Sequence, residues 1–159
     1  MGDSPAKTQS FMSARALGRA MPDLTHNDAA IAKMLSGKPR IAMVGASDNP
    51  ARDSNRVFKY MRNAGYTQIP VNPVTPMVEG VPTVPDLAAA AKQGPIDIVD
   101  VFRAPDQVMP IVEQALAVKA KAIWFQLGVV NPEAIEKALK GGLDVVVDRC
   151  IKIEHARLL

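Results

Sequence analysis

From Lys38 onward the chain repeats one pattern, a short continuous run of apolar, mostly β-branched residues followed by a longer stretch with helical spacing. Strands whose residues are all apolar are buried on both faces, as in a parallel sheet covered by helices. We therefore predict an α/β fold, a Rossmann-like doubly wound parallel five-stranded sheet with helices on both faces and the strand order 3-2-1-4-5. The predicted strands are Ile41–Val44, Ile69–Val71, Ile96–Val101, Ala122–Phe125 and Val145–Val147.

The stretches between the strands carry the start and stop signals of helices. After the fourth strand, Asn131 is a predicted N-cap, Pro132 occupies the first helical position, Glu136 can pair with Lys140, and the pair Gly141–Gly142 ends the helix. The other predicted helices are one at Asp28–Leu35, one capped by Ser54 and stopped by Gly65, a short one at Asp86–Ala91 after a Pro-rich link, and one that starts at Pro105 and Asp106.

The composition limits the classes of protein that the chain can belong to. Its 159 residues suffice for one domain, which we place at residues 25–159 after an N-terminal extension, disordered or partly helical, over residues 1–24. The single cysteine, Cys150, allows no internal disulfide, as expected of a cytoplasmic protein. The net charge of +3 without a basic run argues against nucleic acid, and no apolar segment is long enough for a membrane span.

The predicted strand order places the topological switch between the first and fourth strands, so ligand-binding loops are expected at Gly45–Arg56 and Gln126–Asn131. The first loop has the features of a phosphate site, because Gly45 permits a tight turn and the free N–H groups of the helix start can face an anion. Ser47 and Ser54 add hydroxyl donors, and Arg52 and Arg56 add guanidinium groups. A junction of this kind also occurs where it only turns the chain, so the loop alone leaves both interpretations open.

A nicotinamide dinucleotide fits the loop poorly. The G-x-G-x-x-G pattern needs glycines where this chain has Ser47 and Pro50, and the second strand ends in Asn72-Pro73 without an acid for the ribose diol. The chain also lacks the G-x-x-x-x-G-K-[ST] segment of P-loop proteins.

Several segments together resemble the small bacterial and archaeal CoA-binding proteins of the succinyl-CoA synthetase α-subunit N-terminal domain type. The resemblance covers about Asp28 to His155 and implies a Rossmann-like domain that binds coenzyme A. The matching segments are Val44–Ser47 with Asp48–Pro50, Gly65-Tyr66, Pro70–Pro73, Asp97–Arg103, Ala122–Val129 and Val147–Lys152.

The resemblance also implies site residues. Around the first loop, the 3′-phospho-ADP part of the ligand would be held by Gly45, Ala46, Ser47, Arg52, Ser54 and Arg56. The adenosine side would be lined by Pro70, Val71 and Asn72. The pantetheine channel would be bordered by Phe102, Arg103, Gln126, Leu127 and Gly128.

No catalytic or metal-binding constellation stands out in the sequence. The phosphohistidine of the related synthetase comes from a part that this chain is too short to include, and His26 and His155 lie away from the switch-point loops. We interpret Cys150 as a packed thiol, the alternative being a mixed disulfide with CoA. Asp100 and Asp148 end strands where they could orient Arg103 or Arg149.

The function predicted from the sequence is stand-alone binding of CoA or acyl-CoA without catalysis. An NAD(P)-binding oxidoreductase, an accessory subunit of an acyl-CoA synthetase and a structural protein that has lost its ligand are the alternatives. A homo-oligomer and an enzyme partner are both compatible with the sequence.

Overall fold

Five parallel strands form the central sheet in the computed structural model, which describes residues 23–159. These strands are β1 (Ile41–Val44), β2 (Gln68–Val71), β5 (Ile98–Val101), β6 (Ala122–Phe125) and β7 (Asp144–Val147), and a separate antiparallel hairpin consists of β3 (Met77–Val78) and β4 (Val81–Pro82). The helices are α1 (Asp28–Ser36), α2 (Asp53–Asn63), α3 (Leu87–Ala91), α4 (Met109–Ala117), α5 (Pro132–Lys140) and α6 (Ile151–Leu158).

The sheet separates two hydrophobic cores, which confirms the predicted helices on both faces. One core contains Ala42 and Val99 of the sheet and is covered by α3, α4 and α5. The other contains Met43 and Trp124 and is covered by α1, α2 and α6. Every residue of β1, β2, β5 and β6 is buried, because each of these strands has a helical layer on both sides.

The strand order needs one correction. The observed order is β2-β1-β5-β6-β7, so the predicted third strand lies beside β1 and not at the sheet edge. The order 3-2-1-4-5 would need a third strand on the outer side of β2. Among residues 23–159, only Val84 pairs there, through a single parallel bridge to Val71. Burial explains the difference, because β5 is covered on all sides and suits the sheet centre, whereas Pro70 in β2 lacks an N–H and suits a strand near the edge.

In the observed order the topological switch has a different position from the predicted one. It lies between β1 and β5, so the second loop at the switch is the one after β5, beginning at Phe102, and not Gln126–Asn131.

The helix predictions hold for α1, α3 and α5 and are partly wrong elsewhere. The Asn131 side chain caps α5 by accepting from Ala134 N, and Lys140 pairs with Glu136 at 3.3 Å. Ser54 is wrong as an N-cap: α2 starts one residue earlier and its N-cap, Arg52, makes no side-chain capping bond. The segment Pro105–Gln107 is a short 3-10 turn that precedes α4. The hairpin β3–β4 and the helix α6 were not predicted.

The N-terminal extension falls largely outside the described residues, since residues 1–22 are not among them. Its last two residues belong to the fold: Asp23 bridges to Val145, and Leu24 is buried and donates its N–H to the Val145 carbonyl at 2.7 Å. None of the helices within residues 23–159 is long and apolar enough to cross a membrane.

The end of β1 is packed tightly against the end of β5. Gly45 has a φ of +85°, and a Cβ atom there would lie 2.2 Å from the carbonyl oxygen of Phe102. The Phe102 N–H donates to the Val44 carbonyl at 2.9 Å, and Gly45 N–H donates to Val71 at 3.1 Å. The glycine therefore lets both ladders continue to the point where the chain leaves the sheet.

Gly45→Ala is expected to lower the free energy of unfolding by roughly 3 kcal/mol or more, because left-handed strain of about 1–2 kcal/mol adds to a backbone clash between β1 and β5. The matched control is Gly80→Ala, since Gly80 has a φ of +80° with nothing within 4 Å of the added Cβ. Urea unfolding should show only the strain, about 1–2 kcal/mol, in the control. Equal losses in both variants would contradict the close-approach account.

Candidate ligand-binding site

A cavity of about 830 Å³ lies at the carboxyl ends of β1, β5 and β6, where the switch point predicts a ligand. This volume is within the range of about 300–1,000 Å³ that is usual for small-molecule sites. The predicted residues that line the cavity are Gly45, Ala46, Ser47, Arg52, Ser54, Arg56, Asn72, Phe102, Arg103, Gln126 and Leu127. Three others do not line it: Pro70 and Val71 are buried within β2, and Gly128 lies beyond the lining.

The loop after β1, residues 45–52, is held in place by its own polar side chains and by two asparagines from other elements. Asn72 Nδ2 donates to the Ala46 carbonyl at 2.8 Å, and Asn55 Nδ2 donates to the Ser47 carbonyl at 3.0 Å. The hydroxyl of Ser47 accepts from Asn49 N–H at 3.1 Å. At the tip, Glu79 N–H in the β3–β4 turn donates to Asp48 Oδ1 at 2.8 Å. These contacts fix the carbonyl groups and leave several N–H groups free.

The free N–H groups lie along the cavity at the start of α2. Among the described residues, nothing accepts from the backbone N–H groups of Ala46, Ser47, Asp53 and Ser54, all of which line the cavity. Since α2 has no side-chain cap, these donors face the cavity without a capping partner, and the one acid of the first turn, Asp53, is paired with Arg56. Such a helix start attracts an anion.

The arginines of the cavity differ in what they already bind. Within residues 23–159, the guanidinium groups of Arg52 and Arg103 have no hydrogen-bond or ion-pair partner. Arg56, by contrast, pairs with Asp53 and donates to the carbonyls of Pro50 and Ala51, so it organises the loop. The stem of Arg103 lies over Gly45, with its Cδ 3.4 Å from the position a Cβ would take there.

The N-terminus of α6 completes the wall with Cys150 and with two residues that sequence analysis missed, Lys152 and Ile153. Cys150, Lys152 and Ile153 line the cavity, and the Lys152 ammonium lies 5.6 Å from the Tyr60 ring centroid. The sequence pattern indicates the start of α6 only weakly, because α6 follows β7 after only three residues and has no capping side chain. Cys150 is half-buried, and its disulfide with CoA stays a hypothesis.

A buried polar pair lies beneath the cavity. Asp100 is fully buried in β5, and Gln126 Nε2 donates to its Oδ1. Gln126 Oε1 in turn accepts from Ile151 N–H at 3.4 Å, which connects the sheet to the start of α6. Burial raises the pKa of Asp100 to about 7, against the smaller lowering by the Gln126 hydrogen bond. The other oxygen, Oδ2, has no partner, as suits a neutral carboxyl.

The two strand-end acids do not orient arginines, so that expectation is wrong. Asp100 is engaged by Gln126, and Asp148 Oδ1 accepts from Gly128 N–H at 2.8 Å, which fixes the loop after β6. Arg149 instead contacts His26 Nδ1 at 3.2 Å.

His155 and Trp124 have packing contacts. His155 Nδ1 lies 2.8 Å from the Tyr60 hydroxyl, and burial, followed by the charge of Lys38, lowers the pKa of the imidazole. Trp124 is fully buried and donates its Nε1–H to Arg149 O at 2.8 Å, as expected of a core residue. Within residues 23–159, no group of three His, Cys, Asp or Glu side chains could hold a metal ion.

A family model described as a CoA binding domain matches residues 39–156. The uncharacterized protein YneT of Bacillus subtilis is 44% identical over 128 residues, which are 80% of this chain and 93% of YneT.

Solved structures have the same fold. A hypothetical protein from Pyrococcus horikoshii superposes with a TM-score of 0.81 and 39% identity over 87% of this chain and 96% of its own. The Thermus thermophilus protein cell-free ID.343 has a TM-score of 0.79 and 36% identity over 84% of this chain and 99% of its own. Each of these relatives is about as long as the matched part of this chain.

The raised pKa of Asp100 predicts a pH-dependent stability. The unfolded chain releases this proton near the ordinary value of 3.8, whereas the folded protein keeps it to about pH 7, so the free energy of unfolding falls as pH rises between these values. Asp100→Asn should remove this fall and be more stable than the wild type by up to roughly 4 kcal/mol above pH 7. Chemical unfolding at a series of pH values measures it.

The control is Asp97→Asn, which removes a carboxylate that pairs with Lys121 at 3.2 Å just before the same strand. It should keep the fall between pH 4 and 7. A wild type and an Asp100→Asn variant with parallel pH profiles would show that Asp100 is ionised in the folded protein.

Proposed function

Since this chain belongs to the CoA binding domain family, we propose that it is a stand-alone binding protein for coenzyme A or acyl-CoA, without catalysis of its own. The main support for the proposal is that Arg52 and Arg103, whose guanidinium groups have no partner among residues 23–159, lie in one cavity beside the start of α2, which no side chain caps. Unpaired cations and free N–H groups are the donors that phosphate and pyrophosphate require.

Micromolar binding of an anionic ligand needs the arginines and the free N–H groups together. Micromolar binding requires about 8 kcal/mol. A helix N-terminus contributes only about 0.3–1 kcal/mol, whereas each charged hydrogen bond adds about 1.5–3 kcal/mol. Two free guanidinium groups and the Lys152 ammonium, together with the N–H groups of the loop, reach that sum. The ligand should therefore carry several negative charges, as the 3′-phospho-ADP part of CoA does.

The proposed role of each residue follows from whether its hydrogen-bond donors are already used within the protein. The N–H groups of Ala46, Ser47, Asp53 and Ser54 would donate to phosphate oxygens, and Arg52 and Arg103 would pair with the phosphate charge. Arg56, Asn55 and Asn72 would contribute indirectly, by holding the loop in the shape that presents those donors to the ligand. Gln126 and Leu127 would border the pantetheine arm.

The arrangement at the end of β2 argues against a nicotinamide cofactor. Asn72 stands where an acid would hold the ribose diol, and its Oδ1 already accepts from Val74 N–H at 2.8 Å and Thr75 N–H at 3.1 Å. Its Nδ2 is used by Ala46. The side chain therefore has little capacity left for a ribose, so we propose CoA in preference to NAD(P).

Arg52→Ala and Arg103→Ala are each expected to weaken CoA binding by about 10- to 100-fold, which corresponds to the loss of one charged hydrogen bond or ion pair. Isothermal titration calorimetry with CoA, 3′-dephospho-CoA and NAD measures this. Wild-type protein should prefer CoA over its dephospho form, because the extra phosphate adds charge.

The matched control is Arg40→Ala, which removes a guanidinium at the amino end of β1, where its Nε donates to Pro95 O at 3.0 Å. That variant should bind CoA within about twofold of wild type. If Arg52→Ala and Arg103→Ala bind as tightly as Arg40→Ala, the phosphate role is wrong.

CoA should also protect Cys150 from alkylation, because this half-buried thiol lines the cavity and is the only cysteine of the chain. We expect saturating CoA to slow modification of Cys150 at least fivefold at pH 8, measured by intact mass, with iodoacetamide in large excess over all thiols so that the thiol of CoA does not deplete it. Dephospho-CoA at the same concentration serves as the weaker competitor. An unchanged rate with bound CoA would mean that the ligand does not reach α6.

A further inference from the structure

A second cavity of about 520 Å³ lies next to the first, at the carboxyl ends of β6 and β7. Leu127, Cys150 and Ile153 line both cavities, so the two share one wall. Thr25, Val130 and Ile135 line only the second. The shared wall is the part of the first cavity formed by the loop after β6 and the start of α6.

The apolar side chains of this region are unusually open to solvent for their size. Leu127 is 60% exposed, Ile153 52% and Val130 45%. Single exposed apolar residues are common on protein surfaces. These three instead line one concave surface together with Ile135 and the Cys150 thiol, which is typical of a site that buries an apolar group.

The polar side chains of the second cavity already have partners. Asp148 accepts from Gly128 N–H, Thr25 Oγ1 accepts from Val147 N–H at 2.9 Å, and Glu154 accepts from Arg157 at 2.6 Å. Asp23, His26 and Arg149 are partnered as well. The first cavity shows the opposite, because the guanidinium groups of Arg52 and Arg103 have no partner in the part of the chain that the structure describes. The first is therefore suited to an anion, whereas in the second the polar side chains are already paired and the side chains left to contact a ligand are the apolar ones, Leu127, Val130, Ile135 and Ile153.

We propose that the second cavity takes the acyl group of a CoA thioester, so that the ligand class is acyl-CoA with a short to medium aliphatic chain. This proposal rests on the proposed function. With phosphates at Arg52 and Arg103, the far end of the ligand reaches the shared wall at Leu127 and Ile153. An acyl chain then continues past that wall onto Val130 and Ile135.

Calorimetry with CoA, acetyl-CoA, butyryl-CoA and hexanoyl-CoA tests the proposal. Burial of one methylene group strengthens binding by about fourfold, so burial of two or more of them strengthens it by more than tenfold. Hexanoyl-CoA should therefore bind wild-type protein at least tenfold more tightly than CoA. Val130→Ser, which changes a residue of the second cavity only, should reduce that ratio to below about threefold and leave the affinity for CoA within twofold. Val74→Ser is the control, since Val74 is 86% exposed and lines neither cavity.

The results that would contradict the acyl site can be told apart from those that would contradict the proposed function. Tight CoA binding without any dependence on chain length overturns the acyl site and leaves the proposed function standing, whereas absence of binding by CoA and by every acyl-CoA overturns both. Equal ratios in Val130→Ser and Val74→Ser also overturn the acyl site. If Val130→Ser instead lowers the mass in sedimentation equilibrium and the ratio is unchanged, the surface joins two copies of this chain and the proposal is wrong.

Discussion

The contact between the ends of β1 and β5 sets the positions of nearly everything in the candidate site. Phe102 N–H donates to Val44 O, and the Phe102 carbonyl occupies the space that a side chain at Gly45 would need. Because two neighbouring parallel strands end there, the loops that follow them diverge and leave a crevice. Arg103 then lies over Gly45, and α2 starts within the same crevice, which brings a guanidinium and a helix N-terminus together.

The difference between free and occupied polar groups gives the crevice its chemistry. Asn55, Asn72 and Arg56 donate hydrogen bonds to carbonyls of the loop, and these bonds hold the loop in its shape without a ligand. Preorganisation of this kind lowers the entropy cost of binding. Arg52 and Arg103 remain without protein partners in the described part of the chain, and beneath them burial raises the pKa of Asp100 to about 7, so that it carries less opposing charge than an ordinary carboxylate.

Much of this could be predicted from the sequence, because its signals are local. Continuous apolar runs located all five strands, and Asn131 with Pro132 located the start of α5. The position of β5 could not be obtained in this way, since pairing of β1 with β5 depends on distant residues, although Pro70 in β2 was a usable edge signal. α6 and the hairpin β3–β4 were missed because they are short and weakly marked. Consequently Lys152, Cys150 and the Glu79 contact were absent from the predicted site.

In the proposed complex, the free N–H groups at the turn after β1 and the start of α2 receive the phosphates of CoA. A ¹⁵N–¹H NMR titration of the full chain with CoA tests it directly, because amide protons that donate to phosphate shift strongly. We expect the largest shifts at the amides of Ala46, Ser47, Asp53 and Ser54, and we expect these four shifts to saturate together. Shifts confined to other parts of the surface, with these four amides unmoved at saturating CoA, would contradict it.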